Sequence, residues 1–148
     1  MNAKISNPNS PQPQAETCAM AVVMCQGKIL ATVEDIYGKQ TLSLPKGHQE
    51  PGETLLQTAT RECFEETNVA ISPLEVVRQL PPYTYCFSTP QGIFVEKTIV
   101  PFLFEIGSFG HPLPKEKRML SVQWMDVQQF LQQCTHQNVR QVVLQAVQ

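Results

Sequence analysis

The apolar residues of this chain fall into short runs separated by polar, Gly- or Pro-containing stretches, a pattern typical of β-strands. The first runs predict a hairpin, with strands at 17–24 and 28–33 joined by a turn at Gln26-Gly27, and then a polar loop at 34–40. Further strands are predicted at 41–44, 74–80, 83–87, 93–105 and 121–125. The chain is therefore expected to build a sheet.

One helix is predicted in the middle of the chain. Thr54 followed by Gln57 is a capping-box signal for its start, and Asn68, which tolerates the left-handed conformation, is a plausible end. Between them, an apolar face is predicted from Leu55, Leu56, Ala59, Cys63 and Phe64. Pro and Gly residues at 45–52 indicate a turning, non-helical approach. Two helical segments at 127–134 and 139–147 complete the pattern, which favours an α/β fold with a mixed sheet covered by helices.

Composition sets the domain limits. Residues 1–16 are rich in Asn, Pro, Ser and Gln and predict a flexible tail, whereas 17–148 suffice for a single domain. A net charge of −2 gives no footprint for a nucleic acid polymer, and no apolar run is long enough to cross a membrane. Without a signal-peptide pattern, we expect a cytoplasmic protein, as a monomer or homodimer. Five cysteines without a C-x-x-C pair argue against zinc or a disulfide framework.

The predicted helix carries an unfavourable cluster of charge. Glu62, Glu65 and Glu66 stand at i, i+3 and i+4, where like charges repel and the helix dipole disfavours anions. A hard divalent cation would relieve that repulsion, and Mg²⁺ binds carboxylates together with substrate phosphates. The alternative is a solvated acidic face in which Arg61 pairs with Glu65.

These carboxylates belong to a longer pattern with fixed spacing. Five residues separate Gly47 from Glu53, seven more precede residues 61–66 (Arg-Glu-Cys-Phe-Glu-Glu), and Asn68-Val69 follow. This segment resembles the signature box of the Nudix hydrolases, with Asn68 in place of the family's usual Gly. The resemblance implies a Nudix-like α/β/α sandwich with a mixed β-sheet between helices.

The resemblance also implies a chemistry. It is Mg²⁺-dependent hydrolysis of a phosphoanhydride bond, in which Mn²⁺ substitutes for Mg²⁺. The expected metal ligands are Glu62, Glu65, Glu66 and the carbonyl of Gly47. The expected catalytic residues are Glu53, Arg61, Glu65 and Glu66, with Glu53 and Arg61 forming an ion pair that fixes the loop against the helix. The general base is left open between Glu65, Glu66 and a carboxylate beyond the box, such as Glu96.

The expected substrate is a small nucleotide. Residues 44–48 (Leu-Pro-Lys-Gly-His) resemble the members that cleave dinucleoside polyphosphates or diphosphoinositol polyphosphates. Tyr83-Thr84-Tyr85 and Glu96-Lys97-Thr98 resemble the dinucleoside polyphosphate group. Lys46, His48 and Lys97 are predicted to contact the phosphate chain, and Tyr83 and Tyr85 either to stack on a base or to pack in the core. The loop cations Lys115, Lys117 and Arg118 are either solvated or receive phosphates.

Three alternatives to a dinucleoside polyphosphate hydrolase stay open. Within the same class, the substrate is an oxidised nucleoside triphosphate or a diphosphoinositol polyphosphate, the latter disfavoured because it demands more cations than this chain offers. In a different class, the domain is a catalytically idle, nucleotide-binding regulatory module. Such binding modules tend to lose the charged residues of the box, whereas this chain keeps Glu53, Arg61, Glu62, Glu65 and Glu66, which favours the enzyme.

Overall fold

The structure, a computed structural model, describes residues 12–148. Most of the predicted tail, residues 1–11, lies outside the described residues. The tail boundary at residue 16 is wrong, because Gln14, Ala15 and Glu16 already pair in the sheet with Val95, Glu96 and Lys97. Composition placed the boundary too late because these polar residues are held by strand pairing and not by apolar burial.

Within residues 12–148 the chain forms eight strands and three α-helices. The strands are β1 (Gln14–Cys25), β2 (Lys28–Ile36), β3 (Lys39–Ser43), β4 (Lys46–His48), β5 (Val76–Gln79), β6 (Tyr83–Ser88), β7 (Phe94–Glu105) and β8 (Met119–Asp126). The helices are α1 (Leu55–Thr67), α2 (Val127–Gln133) and α3 (Gln137–Ala146), with a short 3₁₀ turn at Pro73–Glu75.

The sheet is mixed and splits along β1. Its central path runs β3-β2-β1-β7-β5, with β1 and β7 parallel over eleven residue pairs and the other pairs antiparallel. β2 leaves β1 after only two pairs, and β4 takes its place beside β1, pairing Gly47 with Ala19. A three-residue strand is therefore inserted where the two long strands diverge. The predicted turn through residue 47 is wrong here, since these residues are extended.

Each face of the sheet carries its own apolar core. Alternate residues of β1 point to opposite faces, so Met20 and Val22 pack in one cluster with Phe130 and Val143 of α2 and α3. On the other face, the small side chains of β1 pack against α1, in a cluster that includes Ala19, Ala21, Ala59 and Cys63. This arrangement confirms the α/β/α sandwich.

The predicted ends of α1 are confirmed. Thr54 and Gln57 form a complete capping box, and Asn68 adopts the left-handed conformation at φ 65°. The predicted apolar face is wrong at Phe64, which is 43% exposed, with the Lys115 ammonium 3.8 Å from its ring centroid. The helix instead buries Glu66.

The predicted loop at 34–40 is mostly strand. β2 and β3 form a hairpin whose two turn residues, Tyr37 and Gly38, both have positive φ, and Asp35 Oδ1 accepts a hydrogen bond from the Gly38 amide. Two positive-φ residues fit the right-handed twist of a hairpin. Glu34 thereby lies inside the fold, only 1% exposed.

The loop between β7 and β8 is attached to the end of α1. The Leu113 amide donates to the Thr67 carbonyl at 2.8 Å, and Asn68 Nδ2 donates to the His111 carbonyl at 3.2 Å. Trp124 Nε1 donates to the Gly110 carbonyl. These contacts fix a segment without regular structure beside α1. Among the described residues, no helix has the length and apolar character needed to span a membrane.

Candidate active site

Arg61 is the centre of an ion-pair network that joins the approach loop to α1. Its Nε and Nη2 donate to the two oxygens of Glu53 at 2.7 and 2.9 Å, and Nη2 also donates to the His48 carbonyl. Hydrogen bonding from Arg61 lowers the pKa of Glu53 to about 2. Nη1 reaches Glu62 at 2.9 Å and Glu65 at 3.0 Å. The predicted Arg61–Glu53 ion pair is present, and it is bidentate.

Gly47 gives the Glu62 carboxylate room to lie against β4. A Cβ built on Gly47 would fall 2.0 Å from Glu62 Cδ, so only a glycine permits this packing. Burial raises the pKa of Glu62, while the hydrogen bond from Arg61 acts in the opposite direction. The backbone of residue 47 and the first box carboxylate are therefore in direct contact.

Glu66 is fully buried and accepts hydrogen bonds on both oxygens. The Lys46 amide donates to Oε1 at 2.8 Å, and Arg118 Nη2 donates to Oε2 at 2.6 Å. Arg118 also contacts Glu34 at 3.2 Å, as does the Lys46 ammonium. Burial, together with the nearby charge of Glu34, raises the pKa of Glu66 to about 8. Its carboxylate thus lies where additional positive charge would be stabilising.

A third carboxylate completes a group that is able to hold a cation. One oxygen each from Glu62, Glu66 and Glu116 lies within 4.8 Å of the others. Glu116 comes from the loop attached to α1, and its other contact is with Arg118 Nε at 3.2 Å. Carboxylate oxygens are the ligands that hard divalent cations prefer, so the donor set fits Mg²⁺ or Mn²⁺. Glu65 is not in this group.

A cleft of about 800 Å³ begins at β4 and runs across the sheet. One wall is aromatic, since Tyr85 and Phe87 stack with ring centroids 5.7 Å apart, and Tyr85 also meets the His136 ring edge-on. Five basic side chains line it: Lys46, His48, Lys97, Arg118 and His136. A cleft with aromatic surface and converging cations suits a nucleotide with phosphates.

Comparisons with known proteins agree with this geometry. The profile of the NUDIX domain matches residues 15–146, almost the whole chain. The chain belongs to the Nudix family. Phosphatase NudJ of Escherichia coli K12 is 32% identical over 114 residues, covering 75% of this chain and 68% of NudJ. The chain is therefore a hydrolase of the Nudix type, acting on phosphoanhydride bonds.

Solved Nudix structures share the fold at low sequence identity. The NUDIX domain of Shewanella oneidensis NrtR, complexed with ADP ribose, superposes with a TM-score of 0.74 at 19% identity over 97% of this chain and 92% of that one. A Caenorhabditis elegans Ap4A hydrolase gives 0.68 at 15% identity over 88% and 93%. A MutT NUDIX hydrolase from Burkholderia pseudomallei gives 0.72 at 21% over 89% and 98%.

The structure brings most of the predicted site residues together. Five of them line the cleft or its end at β4: Lys46, Gly47, His48, Tyr85 and Lys97. Tyr83 does not line it and packs against the core beneath α2 and α3. Glu65 is not among the residues that line the cleft; it contacts Arg61, 46% of its side chain is exposed, and its role as a metal ligand stays a prediction.

Glu96 lies on β7, two residues from Thr98 and four from Val100. Because strand residues alternate between faces, Glu96 shares a face with Val100, which packs beside α1. It is outside the carboxylate group formed by Glu62, Glu66 and Glu116. Its assignment as the base stays a prediction.

Sequence reasoning missed Glu34, Glu116 and His136, and left Arg118 open between solvent and phosphate. Glu34 was hidden in a polar run that resembled a loop, and Glu116 alternates with cations in a Pro-containing segment. Each meets its partners in the site only through contacts distant in sequence: Glu34 through Arg118, Glu116 through Glu62 and Glu66, and His136 through Tyr85. The one local signal was the coincidence of Lys, Glu and Arg at 115–118.

Proposed function

We propose that this Nudix protein hydrolyses a phosphoanhydride bond in a nucleotide-linked substrate, with a dinucleoside polyphosphate as the first choice. The observation that carries the proposal is that three residues lining the cleft, Lys46, Gly47 and Arg118, also contact the carboxylate group. Lys46 lines the cleft through its side chain, while its amide hydrogen-bonds Glu66. A phosphate chain lying along the cations would therefore end beside the carboxylates.

The nucleoside part of the substrate would occupy the aromatic wall. Tyr85 and Phe87 offer stacked ring faces, and stacking on a base contributes about 1–3 kcal/mol per base. Lys97 lies 5.2 Å from the Phe87 ring centroid, at the junction between the aromatic and cationic parts. This order of groups matches the order of base and phosphates in a nucleotide.

Glu62, Glu66 and Glu116 would hold a divalent cation, which we propose to be Mg²⁺, with Mn²⁺ able to replace it. The Gly47 carbonyl is a further candidate because that residue packs directly on Glu62. A metal bound there would neutralise phosphate charge and acidify a water molecule. Arg61 orients Glu62 and Glu53 through the contacts already described, so it positions ligands and does not touch substrate.

We propose Glu65 as the group that accepts the proton from the attacking water. Both oxygens of Glu66 already accept hydrogen bonds, whereas Glu65 is half-exposed. Arg61 Nη1 lies 2.9 Å from Glu62 and 3.0 Å from Glu65, so the two carboxylates are neighbours across one nitrogen. A base within reach of water and next to the ligand group fits the geometry that proton transfer requires.

The structural neighbours support a nucleotide as the substrate but do not identify which nucleotide it is. The NrtR domain was crystallised with ADP ribose, and the Caenorhabditis elegans protein is an Ap4A hydrolase. Both share the fold of this chain. The preference for a dinucleoside polyphosphate rests on the volume of the cleft, about 800 Å³, on its aromatic wall and five basic side chains, and on the residues around Lys46.

The proposal is tested by product release from a substrate panel, with Mg²⁺ and with chelator. The panel holds diadenosine tetraphosphate, normal and oxidised nucleoside triphosphates, ADP-ribose and a diphosphoinositol polyphosphate. Metal-dependent cleavage of diadenosine tetraphosphate well above the others is the expected result. Preferred cleavage of another member would replace the substrate assignment, and nucleotide binding without turnover on any member would favour a regulatory module.

A pair of variants links turnover to the cleft. Both tyrosines pack against the same core cluster, but only Tyr85 lines the cleft. Tyr85→Leu removes the ring that lines the cleft, and Tyr83→Leu makes the same truncation away from it. The first should raise KM for a nucleotide about tenfold or more, the scale of one lost stacking contact. The second should leave KM within about twofold of the parent value. An equal change of KM in the two variants would contradict the placement of the nucleobase against Tyr85.

A further inference from the structure

The Glu16 carboxylate contacts two of the basic side chains that line the cleft, His48 and Lys97. Its Oε1 lies 2.8 Å from His48 Nε2 and 3.9 Å from Lys97 Nζ. Both partners are lining residues of the cleft. The Glu16 side chain is itself 22% exposed, so it is neither buried nor free in solvent.

Strand pairing fixes this arrangement. Glu16 is directly opposite Lys97 in the parallel β1–β7 pair, and His48 is opposite Cys18 in the β1–β4 pair. Cys18 is two residues from Glu16, so the two point to the same face of the sheet. Three neighbouring strands thus bring one carboxylate and two basic groups to the same face of the sheet.

The two acidic side chains that line the cleft have different partners. Glu34 is buried and held by Lys46 and Arg118, and Asp35 accepts the amide of Gly38 in the β2–β3 turn. Glu34 also holds a residue proposed to meet the phosphate chain, Lys46, but the Glu34 side chain is only 1% exposed, whereas that of Glu16 is 22% exposed and can be reached by a ligand. An entering phosphate must either displace Glu16 or lie beside it.

We infer that Glu16 is a specificity-determining residue that occupies, with its carboxylate, a phosphate subsite formed by His48 and Lys97. This inference rests on the proposed function. A carboxylate oxygen between an imidazole and an ammonium takes the place that a phosphate oxygen would take, because both are anionic acceptors. The chain thus carries its own competing anion, which disfavours substrates whose phosphates extend to this subsite.

His48 and Lys97 should keep their positions in the cleft when Glu16 is replaced. Lys97 has a second contact, with its ammonium over the Phe87 ring, which is independent of the carboxylate. His48 belongs to β4, whose backbone pairs with β1. Replacing Glu16 by Gln therefore removes the competing charge while both basic groups stay in the cleft.

The test is the affinity for inorganic tripolyphosphate, measured by calorimetry with chelator present so that metal does not bind the probe. Glu16→Gln should bind tripolyphosphate about fivefold or more tightly than the parent, because it frees Lys97 from an ion pair whose charges lie 3.9 Å apart, and one such pair in water is worth about 1 kcal/mol. Glu105→Gln makes the same change of charge at the opposite end of β1 and β7, where Glu105 pairs with Met24, and should not alter the affinity. A thermal melt of each variant verifies folding.

A double-mutant cycle ties the gain to the subsite. In a Lys97→Gln background, the gain in tripolyphosphate affinity from Glu16→Gln should be smaller, because the ammonium for which the carboxylate and the phosphate compete is gone. Unchanged or weaker tripolyphosphate binding by Glu16→Gln, or a gain that is the same without Lys97, would overturn the inference. The proposed function fails separately, if the parent protein cleaves no member of the nucleotide panel.

Discussion

A methyl group at position 47 would lie 2.0 Å from Glu62 Cδ and 2.3 Å from both of its carboxylate oxygens. Real Cβ atoms essentially never approach another heavy atom closer than 3.0 Å, so in Gly47→Ala the Glu62 carboxylate must move by about 1 Å or more. The backbone accepts alanine here, because β4 is extended and Gly47 has no positive φ. The strain therefore falls on the side chain of Glu62.

A displacement of that size is enough to disable a site. A misplacement of about 1 Å can cost about a hundredfold in rate, and disturbing the surroundings of a metal ligand about 10- to 100-fold in metal affinity. We expect Gly47→Ala to fold, to bind Mn²⁺ about tenfold or more weakly, and to lose about a hundredfold in turnover. Free Mn²⁺ measured by paramagnetic resonance gives the affinity independently of activity.

Gly107→Ala is the matched control. A Cβ at Gly107 meets no atom within 4 Å, and its φ is not positive, so this substitution should leave metal binding and turnover unchanged. Normal Mn²⁺ affinity and normal turnover in Gly47→Ala would refute the assignment of Glu62 to the metal group. A loss of both in Gly107→Ala as well would show that the effect is not local.

Three further predictions concern the Nudix box. Glu65→Gln and Glu66→Gln should each keep the fold and lower turnover about a hundredfold on the best substrate. The pKa of Glu53 is about 2 in the folded state against an ordinary 4.5, so its ion pair stabilises the fold above pH 4.5, and this stabilisation is lost as the pH falls towards 2. In Glu53→Gln, the midpoint of urea unfolding should therefore fall less between pH 7 and pH 3 than it does in the parent. Asn68→Ala should lower the free energy of unfolding by about 1 kcal/mol, because Asn68 has φ 65°, and Asn68→Gly by less.

Each of these has a clear contrary result. Near-normal turnover in both glutamine variants would remove Glu65 and Glu66 from the chemistry. If the urea midpoint of Glu53→Gln falls with pH as much as that of the parent, the Glu53–Arg61 ion pair contributes no measurable stability. Equal stability of the Ala and Asn chains would mean that the end of α1 is frayed in solution.

The sequence predicted those parts of the fold whose cause is local. The capping box at Thr54, the stop at Asn68 and the two C-terminal helices depend on neighbouring residues, and the structure confirms them. The Gln26-Gly27 turn is confirmed for the same reason, since both residues have positive φ. Periodicity failed at Phe64, where a helix-length apolar pattern includes a residue that a distant lysine covers.

Only part of the candidate site could be predicted from the sequence, because the rest depends on contacts that are not local. The spacing of the box placed Glu62 and Glu66 on one helix, but it carried no information on which loop or strand would meet them. Glu116 and Arg118 come from a segment about fifty residues later, and Glu34 from a strand about thirty residues earlier. Their polar neighbours resembled solvated loops because the partners that bury them lie far away in sequence.

The attachment of the β7–β8 loop to α1 has an entropic consequence. Hydrogen bonds from Leu113 and Asn68, with the contact of Lys115 on Phe64, hold this irregular segment before any substrate arrives. Ordering a flexible segment on binding costs about 0.5–1.5 kcal/mol for each immobilised side chain. Glu116 and Arg118 are delivered already ordered, so that cost is met during folding and is not deducted from the affinity for substrate.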